Sequence, residues 1–269
     1  MQIIVLIKQV PEMDRVRFDA ERGVIDRKSA GVEINPFDLN ALELAVEIKE
    51  EVGGRITALS MGPARAERAL REALARGADR ALLLSDSKFA GADTWATSLT
   101  LARAINKMEG FDLIIAGEMS VDGDTAQVGP QTAEHLDIPH ISRAISLDRI
   151  QPDRLEITGP AWGGEYQRVM LLPGLLTVSR DINFPRLPTL RAKMAAREAE
   201  IIRWDCSHLA PETSPEEVGS KGSPTRVRKI VVPAPVERQG RLFSAEQLEE
   251  GLEATAEICR EKCIRGGQL

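Results

Sequence analysis

The chain has 269 residues, 43% of them hydrophobic and 28% charged, with a net charge of −6 from 41 acidic and 35 basic side chains. This is the balance of an ordinary soluble globular protein, long enough for a substantial core and for one large domain with an appendage. It argues against a general nucleic-acid binder, since no basic, aromatic-rich run is present, and the longest apolar runs fall far short of the ~20 residues of a membrane span.

The start Met1-Gln2-Ile3-Ile4-Val5-Leu6-Ile7-Lys8 has no basic lead and no cleavage site. Its continuous β-branched run predicts a first strand over 3–7, buried on both faces. After a long connection, Asn35 as N-cap, Pro36 at the first helical position and Asp38 in the first turn predict a helix. Ala41, Leu44, Ala45, Ile48 and Val52 give it an apolar face, and Gly53-Gly54 stops it. A second strand follows over 56–59. Ala66, Ala69, Leu70, Ala73 and Leu74 mark the next helix, ended by Gly77, and 81–84 is the third strand. Asp93-Thr94 opens a helix lined by Trp95, Leu99, Ala102 and Ile105, and 113–116 is the fourth strand.

The stretch Gly117-Glu118-Met119-Ser120-Val121-Asp122-Gly123-Asp124-Thr125-Ala126-Gln127-Val128-Gly129-Pro130 carries the most information. Gly123 and Gly129 admit a ligand close to the backbone, and Thr125 and Gln127 offer side-chain hydrogen bonds. Asp124 or Thr125 is placed to cap a helix beginning near Ala126, whose first turn tolerates Pro130. Free N–H groups at such a helix start hold phosphates. A strand-to-helix loop with no ligand is the alternative. Strands alternate with helices through about residue 136, which predicts right-handed crossovers and a parallel sheet. Lys8-Gln9, Ser60-Met61-Gly62, Ser85-Asp86 with Ala92-Asp93-Thr94, and the 117–130 loop then fall on one edge, where ligands of such sheets bind. The glycines do not follow the GxGxxG layout.

Beyond His140 the texture changes. Residues 155–158 and 167–172 read as strands of a hairpin around Trp162-Gly163-Gly164, 175–178 as another strand, 183–191 as loop and 192–200 as helix. Residues 210–225, rich in Pro, Ser, Gly and charge, read as an exposed linker. An amphipathic helix over about 244–265 carries Leu248, Leu252, Ala256 and Cys259 at helical spacing. Cys206, Cys259 and Cys263 form no disulfide framework and read as buried thiols. His135, His140 and His208 lack metal-ligand spacing, and no nucleophile elbow, zinc-binding pair or phosphate-loop lysine motif occurs. With no catalytic constellation, the residues point to holding a cofactor.

Ile7-Lys8-Gln9-Val10, Asn35-Pro36-Phe37, Gly77-Ala78-Asp79-Arg80, the 122–130 loop, and Leu172-Pro173 with Leu176-Thr177-Val178 together resemble the β subunit of electron transfer flavoprotein. They are also similar to its nitrogen-fixation-associated FixA relatives. The resemblance covers nearly the whole chain, in order and at matching spacing. It implies a Rossmann-like α/β fold of the adenine-nucleotide α-hydrolase-like kind, a parallel sheet with flanking helices, over 1–210, followed by a linker and C-terminal arm over 211–269 whose terminal helix packs on the α subunit. It implies a heterodimer with an α subunit that holds a redox-active FAD in a mobile domain. The β subunit's own nucleotide site holds AMP in some members and a second FAD in the electron-bifurcating ones.

Carried over by motif, ligand contacts fall on Leu6, Asn35, Pro36, Phe37, Asp38 and Met61, and on Ser120, Val121, Asp122, Gly123, Asp124, Thr125, Ala126, Gln127, Val128, Gly129, Pro130 and Gln131. Phe37 and Met13 would lie toward the α-subunit flavin. Residues 122–130 resemble the bifurcating branch more than the AMP-binding form. Residues 91–98 look like their counterpart there and would place Thr94 and Thr97 near a pyrophosphate; 222–227 is similar to that branch too. Such a protein takes hydride from NADH, sending one electron to the α-subunit flavin and one to a low-potential acceptor such as ferredoxin. Simple electron transfer with structural AMP is the alternative, and a stand-alone nucleotide-binding regulatory domain is the alternative of another class. An electron carrier needs no acid, base or nucleophile of its own, which agrees with the empty motif search.

Two segments depart from the family pattern. In Gly159-Pro160-Ala161-Trp162-Gly163-Gly164-Glu165-Tyr166-Gln167-Arg168 the basic residue of the family signature is missing and the glutamate is displaced by one, a slip that reverses strand faces. The docking segment, usually lysine-rich, is here Leu190 to Arg197, with Leu190, Arg191 and Met194 as the docking residues. An acyl-CoA dehydrogenase or related flavoprotein is the implied partner, with a quinone oxidoreductase as a further acceptor, and the lost positive charge suggests a different partner from the usual one. An ordinary helix edge is the plain alternative. The location implied is cytoplasmic.

Overall fold

The computed structural model describes residues 1–12, 17–19, 24–26, 31–228 and 240–265, with side chains for 1–12, 31–228 and 240–260. Met13 lies outside them. The chain forms two compact units, Met1–Ile230 and Val231–Leu269.

In the first unit, β1 (Gln2–Leu6) is followed by four short strands within what the sequence shows only as a long connection. Of these, β2 (Gln9–Pro11) pairs antiparallel with β5 (Val32–Ile34), and β3 (Arg17–Asp19) with β4 (Val24–Asp26). Helix α1 (Pro36–Val52) starts at Pro36 and ends at Gly53, whose φ of +74° suits a residue without a Cβ. Then come β6 (Arg55–Met61), α2 (Glu67–Ala75), β7 (Arg80–Leu84), α3 (Thr94–Lys107), β8 (Leu113–Gly117) and α4 (Val128–Leu136). The second half supplies β9 (His140–Ala144), β10 (Ser146–Ile150), β11 (Arg154–Ala161), β12 (Gly164–Leu171), β13 (Gly174–Val178), α5 (Leu190–Glu198), β14 (Ile202–Trp204) and the short α6 (Gly219–Gly222).

Seven strands form one sheet in the order β14-β7-β6-β1-β8-β13-β9, and every neighbouring pair is parallel. The fold is therefore α/β with the parallel sheet that the alternation predicts, flanked by helices and Rossmann-like as the family resemblance implies. From β1 the chain steps outward through β6 and β7, then returns to the other side of β1 at β8. The order reverses between β1 and β8, and in sheets of this kind ligands bind outside the strand ends at such a switch point.

The apolar run of β1 has period-2 sidedness. Ile3, Val5 and Ile7 join one core cluster with α1 and α2 residues such as Leu42, Ile48 and Leu70. Ile4 and Leu6 join a second cluster with Leu101 and Ile105 of α3 and Ala133 of α4. Ile3 and Ile4 are almost fully buried, each contributing about 1.5–3 kcal/mol of transfer free energy. Two clusters on opposite faces explain why the strand reads as continuously apolar.

Several expectations change. His140–Ala144 and Ile202–Trp204 are sheet strands; both are short, and Ser142, Arg143 and Arg203 break their apolar pattern. The predicted hairpin is present, with β11 and β12 paired in unbroken register from Arg154↔Leu171 to Ala161↔Gly164. Its two-residue turn, Trp162-Gly163, has φ of +44° and +83°, the sign pattern of a type I′ turn. On α3, Ala102 and Ile105 are buried as expected, but Trp95 is 46% exposed, and Ala96 and Leu101 join the buried face.

Residues 210–225 are not an exposed linker throughout: Thr213, Val218 and Ser223 are buried, and Glu217 pairs with Arg103 of α3 at 2.8 Å. Small residues serve close packing here, since Gly219 at φ +58° lies against the Lys88 carbonyl. In the second unit, a Ser244–Gln247 capping box leads into α7 (Leu248–Arg265). Cys206 is buried as expected, but Cys259 is exposed, and the Cys263 side chain lies outside the described ones. Among the described residues no helix is long and apolar enough to cross a membrane, and no cluster of potential metal ligands occurs.

Candidate nucleotide site at the strand ends

Because all seven strands are parallel, the loops after β1, β6, β7 and β8 share the C-terminal edge of the sheet. The loop after β8 occupies the switch point. Its residues 123–127 are exposed in succession, and its internal support is small: the amides of Gly123 and Asp124 both donate to the Ser120 carbonyl, at 3.1 and 2.8 Å. Asp124 and Ala126 hold φ of +49° and +54°, a conformation costing non-glycine residues about 1–3 kcal/mol each. Helix α4 begins at Val128, later than the expected Ala126. Its N-cap is Gln127, with no side-chain cap, so neither Asp124 nor Thr125 serves that role. The left-handed turns at Asp124 and Ala126 keep those residues out of the helix and leave its first-turn N–H groups without a side-chain partner. Gly129 is needed for packing: a Cβ there would lie 2.6 Å from Thr177 Cγ2.

Beneath this loop lies a buried polar group. Asn35 sits at the N-cap position of α1, yet its side chain does not cap the helix. Its Nδ2 donates to Asp38 Oδ1 at 2.8 Å and to the Met119 carbonyl at 2.8 Å, while its Oδ1 accepts from the Val121 amide at 3.2 Å. Asp38 Oδ2 accepts from the Lys8 amide at 2.7 Å, and the Gly117 backbone also bonds to this carboxylate. Burial pushes the Asp38 carboxyl up to about 7, against the hydrogen bonds and the Lys8 charge that pull it down. The Lys8 ammonium donates to Asp122 Oδ1 at 2.6 Å and to Ser120 Oγ at 3.0 Å. Burial alone would raise Asp122, but the hydrogen bond and charge of Lys8, with Ser120, hold it below the usual carboxylate range.

The other strand-end residues complete the rim. Thr94 Oγ1 donates to Gln127 Oε1 at 2.9 Å, tying the start of α3 to the loop. Ser98 Oγ donates to Gln131 Oε1 at 3.4 Å, and Thr97 stands in the first turn of α3. Asp93 caps α3 through the Ala96 amide and accepts from the Thr225 amide and hydroxyl at 2.9 and 2.8 Å, while its own amide donates to Ser223 Oγ at 2.8 Å. Met61 is half-buried at the end of β6. Leu6, Asn35, Phe37 and Asp38 are buried, and Pro36 and Ser120 to Asp122 partly so. The Arg180 guanidinium lies over the Phe37 ring, 4.6 Å from its centroid.

The expected residues from β1, α1, α3, β6 and the β8 loop thus gather on one edge. Sequence reasoning placed Lys8 and Asp93 on this edge but assigned the Lys8 side chain no role and did not foresee the Asp93–Ser223–Thr225 clamp. Lys8 carried a usable signal, a lone cation directly after the first strand; the clamp joins residues too distant in sequence to carry one.

Leu190, Arg191 and Met194 stand elsewhere, on α5. Leu190 is 76% and Met194 60% exposed, beside the exposed Phe184 and Leu187. This segment is fastened from behind. Arg186 bonds both Glu43 and Glu50 of α1, and Arg71 of α2 donates to the Ala196 and Arg197 carbonyls at 2.8 and 2.7 Å.

A model of the electron transfer flavoprotein domain matches residues 22–209. The chain is 44% identical over 247 residues to an electron transfer flavoprotein subunit beta from Thermoanaerobacterium thermosaccharolyticum, covering 91% of this chain and 92% of that protein. It is 38% identical over 265 residues to the caffeyl-CoA reductase-Etf complex subunit CarD of Acetobacterium woodii, covering 98% and 100%. It is 36% identical over 266 residues to the FixA protein of Sinorhizobium fredii, covering 95% and 91%. With a domain model spanning most of the chain and relatives aligned almost end to end, the chain belongs to the β-subunit family of electron transfer flavoproteins, FixA proteins included.

Proposed function

We propose that this chain is the nucleotide-holding half of a heterodimeric electron carrier, pairing with an α subunit that holds a redox-active FAD. The strand-end site of the chain itself would take a second FAD. The observation that carries this reading is the exposed run 123–127 at the switch point, bent by two left-handed residues and leading into a helix start that no side chain caps. Main-chain N–H groups so exposed fit a phosphate or pyrophosphate. The Thr94 and Thr97 hydroxyls and Gln127 stand at the rim to orient it, with Met61 at the end of β6. Leu6, Pro36 and Phe37 would supply apolar contacts at the end of β1 and the start of α1.

A flavin bound there would supply hydride acceptance from NADH and one-electron delivery, the chemistry of bifurcation, with ferredoxin as the low-potential acceptor. The chain's own contribution would be to hold the nucleotide and fix its distance to the partner flavin. A phosphate cradle of this kind suits AMP equally, and the simpler carrier with structural AMP is the second reading. Leu190, Arg191 and Met194 would dock an acyl-CoA dehydrogenase or related flavoprotein, with a quinone oxidoreductase as a further acceptor. Support for such a partner comes from the Acetobacterium relative, named as part of a caffeyl-CoA reductase complex. The domain division would be 1–210 for the nucleotide domain and 211–269 for an arm whose terminal helix packs on the α subunit, in a cytoplasmic complex.

Purification with the α subunit, followed by nucleotide release and quantification, tests the reading. Two FAD per heterodimer is the expected result. One FAD and one AMP would replace it with the simpler carrier, and a chain free of nucleotide would overturn the site.

A further inference from the structure

Among the described residues, two side chains from outside the β8 loop grip four consecutive residues of it. Asn35 takes main-chain atoms of alternate residues, the Met119 carbonyl and the Val121 amide. Lys8 takes side chains of the intervening ones, Ser120 Oγ and Asp122 Oδ1. Asp38 keys both grips: one carboxylate oxygen fixes the Asn35 amide and the other fixes the Lys8 backbone. Asn35 and Asp38 are 1% and 5% exposed, and their polar atoms are committed to protein partners, so they offer a ligand little surface. The Lys8 side chain is about half exposed, and two of its three ammonium donors are taken by the loop.

We propose that Lys8, Asn35 and Asp38 are positioning residues that preset the nucleotide loop from beneath, holding 119–122 in register before any ligand arrives. The inference rests on the nucleotide-site reading above. Its physical content is preorganisation: a loop with two left-handed residues and almost no internal bonds would otherwise be ordered at the expense of binding free energy. The first left-handed residue, Asp124, lies two positions beyond the gripped segment, and the Gly123 and Asp124 amides turn back to the Ser120 carbonyl, so the grip sets where the main chain of 125–127 is presented.

The test uses the full-length chain in its complex, stripped of strand-end nucleotide and titrated with FAD and with AMP. Lys8→Met and Asp122→Asn are the main variants, both at partly exposed positions that spare the core, with Lys8→Arg as the conservative rescue. Hydrogen exchange of the 119–123 amides is followed in the ligand-free protein. Lys8→Met is expected to speed that exchange and to weaken whichever nucleotide binds by about tenfold, with Lys8→Arg restoring both. The Lys8→Met/Asp122→Asn double variant should be no worse than Lys8→Met alone, because the contact that Asp122→Asn weakens is already lost with the ammonium. Weakened binding with unchanged ligand-free exchange would make Lys8 a direct ligand contact and overturn the proposal, as would unchanged binding. If wild type binds neither nucleotide, the site reading falls, and the exchange comparison still decides whether the grip exists.

Discussion

Replacing Gly117 by alanine tests the join between the sheet and the loop most directly. A Cβ on Gly117 would stand 2.5 Å from Asp38 Oδ1, 2.6 Å from Phe37 Cβ and 2.8 Å from the Phe37 carbonyl carbon. Carbon contacts settle near 3.5–4.0 Å, so the neighbours must retreat by about 1 Å. They cannot do so freely. Two of the three atoms belong to Phe37 in the first turn of α1, and the third belongs to the carboxylate that fixes Asn35 and the Lys8 backbone. Overpacking of this kind costs about 1–3 kcal/mol. For a cooperative unit the size of Met1–Ile230, each kcal/mol lowers the melting temperature by about 2–4 °C. The expected fall is about 2–12 °C by circular dichroism, with faster hydrogen exchange at 119–122. Gly240→Ala, which has no neighbour within 4 Å, is the control and should melt within about 1 °C of wild type. A Gly117→Ala protein that matches the control would refute the close approach of α1 to the strand end, and with it the tethering of the loop.

Glu43→Gln should destabilise by about 1–3 kcal/mol, because it weakens the bonds to the Arg186 amide and guanidinium at 2.8–3.0 Å; chemical denaturation measures it, and exchange should rise at 183–190. The 211–225 segment should open in acid. Arg103 and the Ser214 amide hold Glu217 down to about 2, while hydrogen bonds from Ala96 and Thr225 outweigh burial to lower Asp93. A depressed carboxylate contributes stability that is present above its unfolded value and lost as pH falls through its folded one. Limited proteolysis should therefore leave 211–225 intact at pH 5 and cut it increasingly as pH drops toward about 2. The double variant Leu190→Ala/Met194→Ala should slow electron transfer with the dehydrogenase partner at least about tenfold in stopped-flow traces while leaving bound flavin unchanged; lost flavin would place these residues in the fold instead of the docking face.

The parallel sheet was legible because β1, β6, β7 and β8 are apolar runs buried on both faces, separated by helices with clear starts and stops. The strand-end position of the site followed from that alternation. His140–Ala144 and Ile202–Trp204 were not legible. Each takes its place through pairing with a strand far away in sequence, β13 or β7, and local pattern does not carry that information. Residues 210–225 misled for a related reason. Glycine and serine there permit close packing against the 87–90 turn and α3, although their composition is that of a linker. Within the site, the helix start of α1 was read correctly and its cap was not. Asn35 has the chemistry of a cap, but the neighbouring β8 loop offers its amide more partners than the helix end does.

The rear fastening of the 183–198 segment separates two kinds of residue. Arg186 and Arg71 bind it to α1 and α2 through groups that face the body of the protein, whereas Phe184, Leu187, Leu190 and Met194 are exposed. A lineage can therefore rewrite the outward set without endangering folding, as long as the two arginines and their acceptors persist. On the docking role proposed above, exchange of electron-transfer partners would be a matter of a few surface substitutions on an unchanged mount, while the β8 loop, tied to the buried Asn35 and Asp38, would have far less freedom to drift.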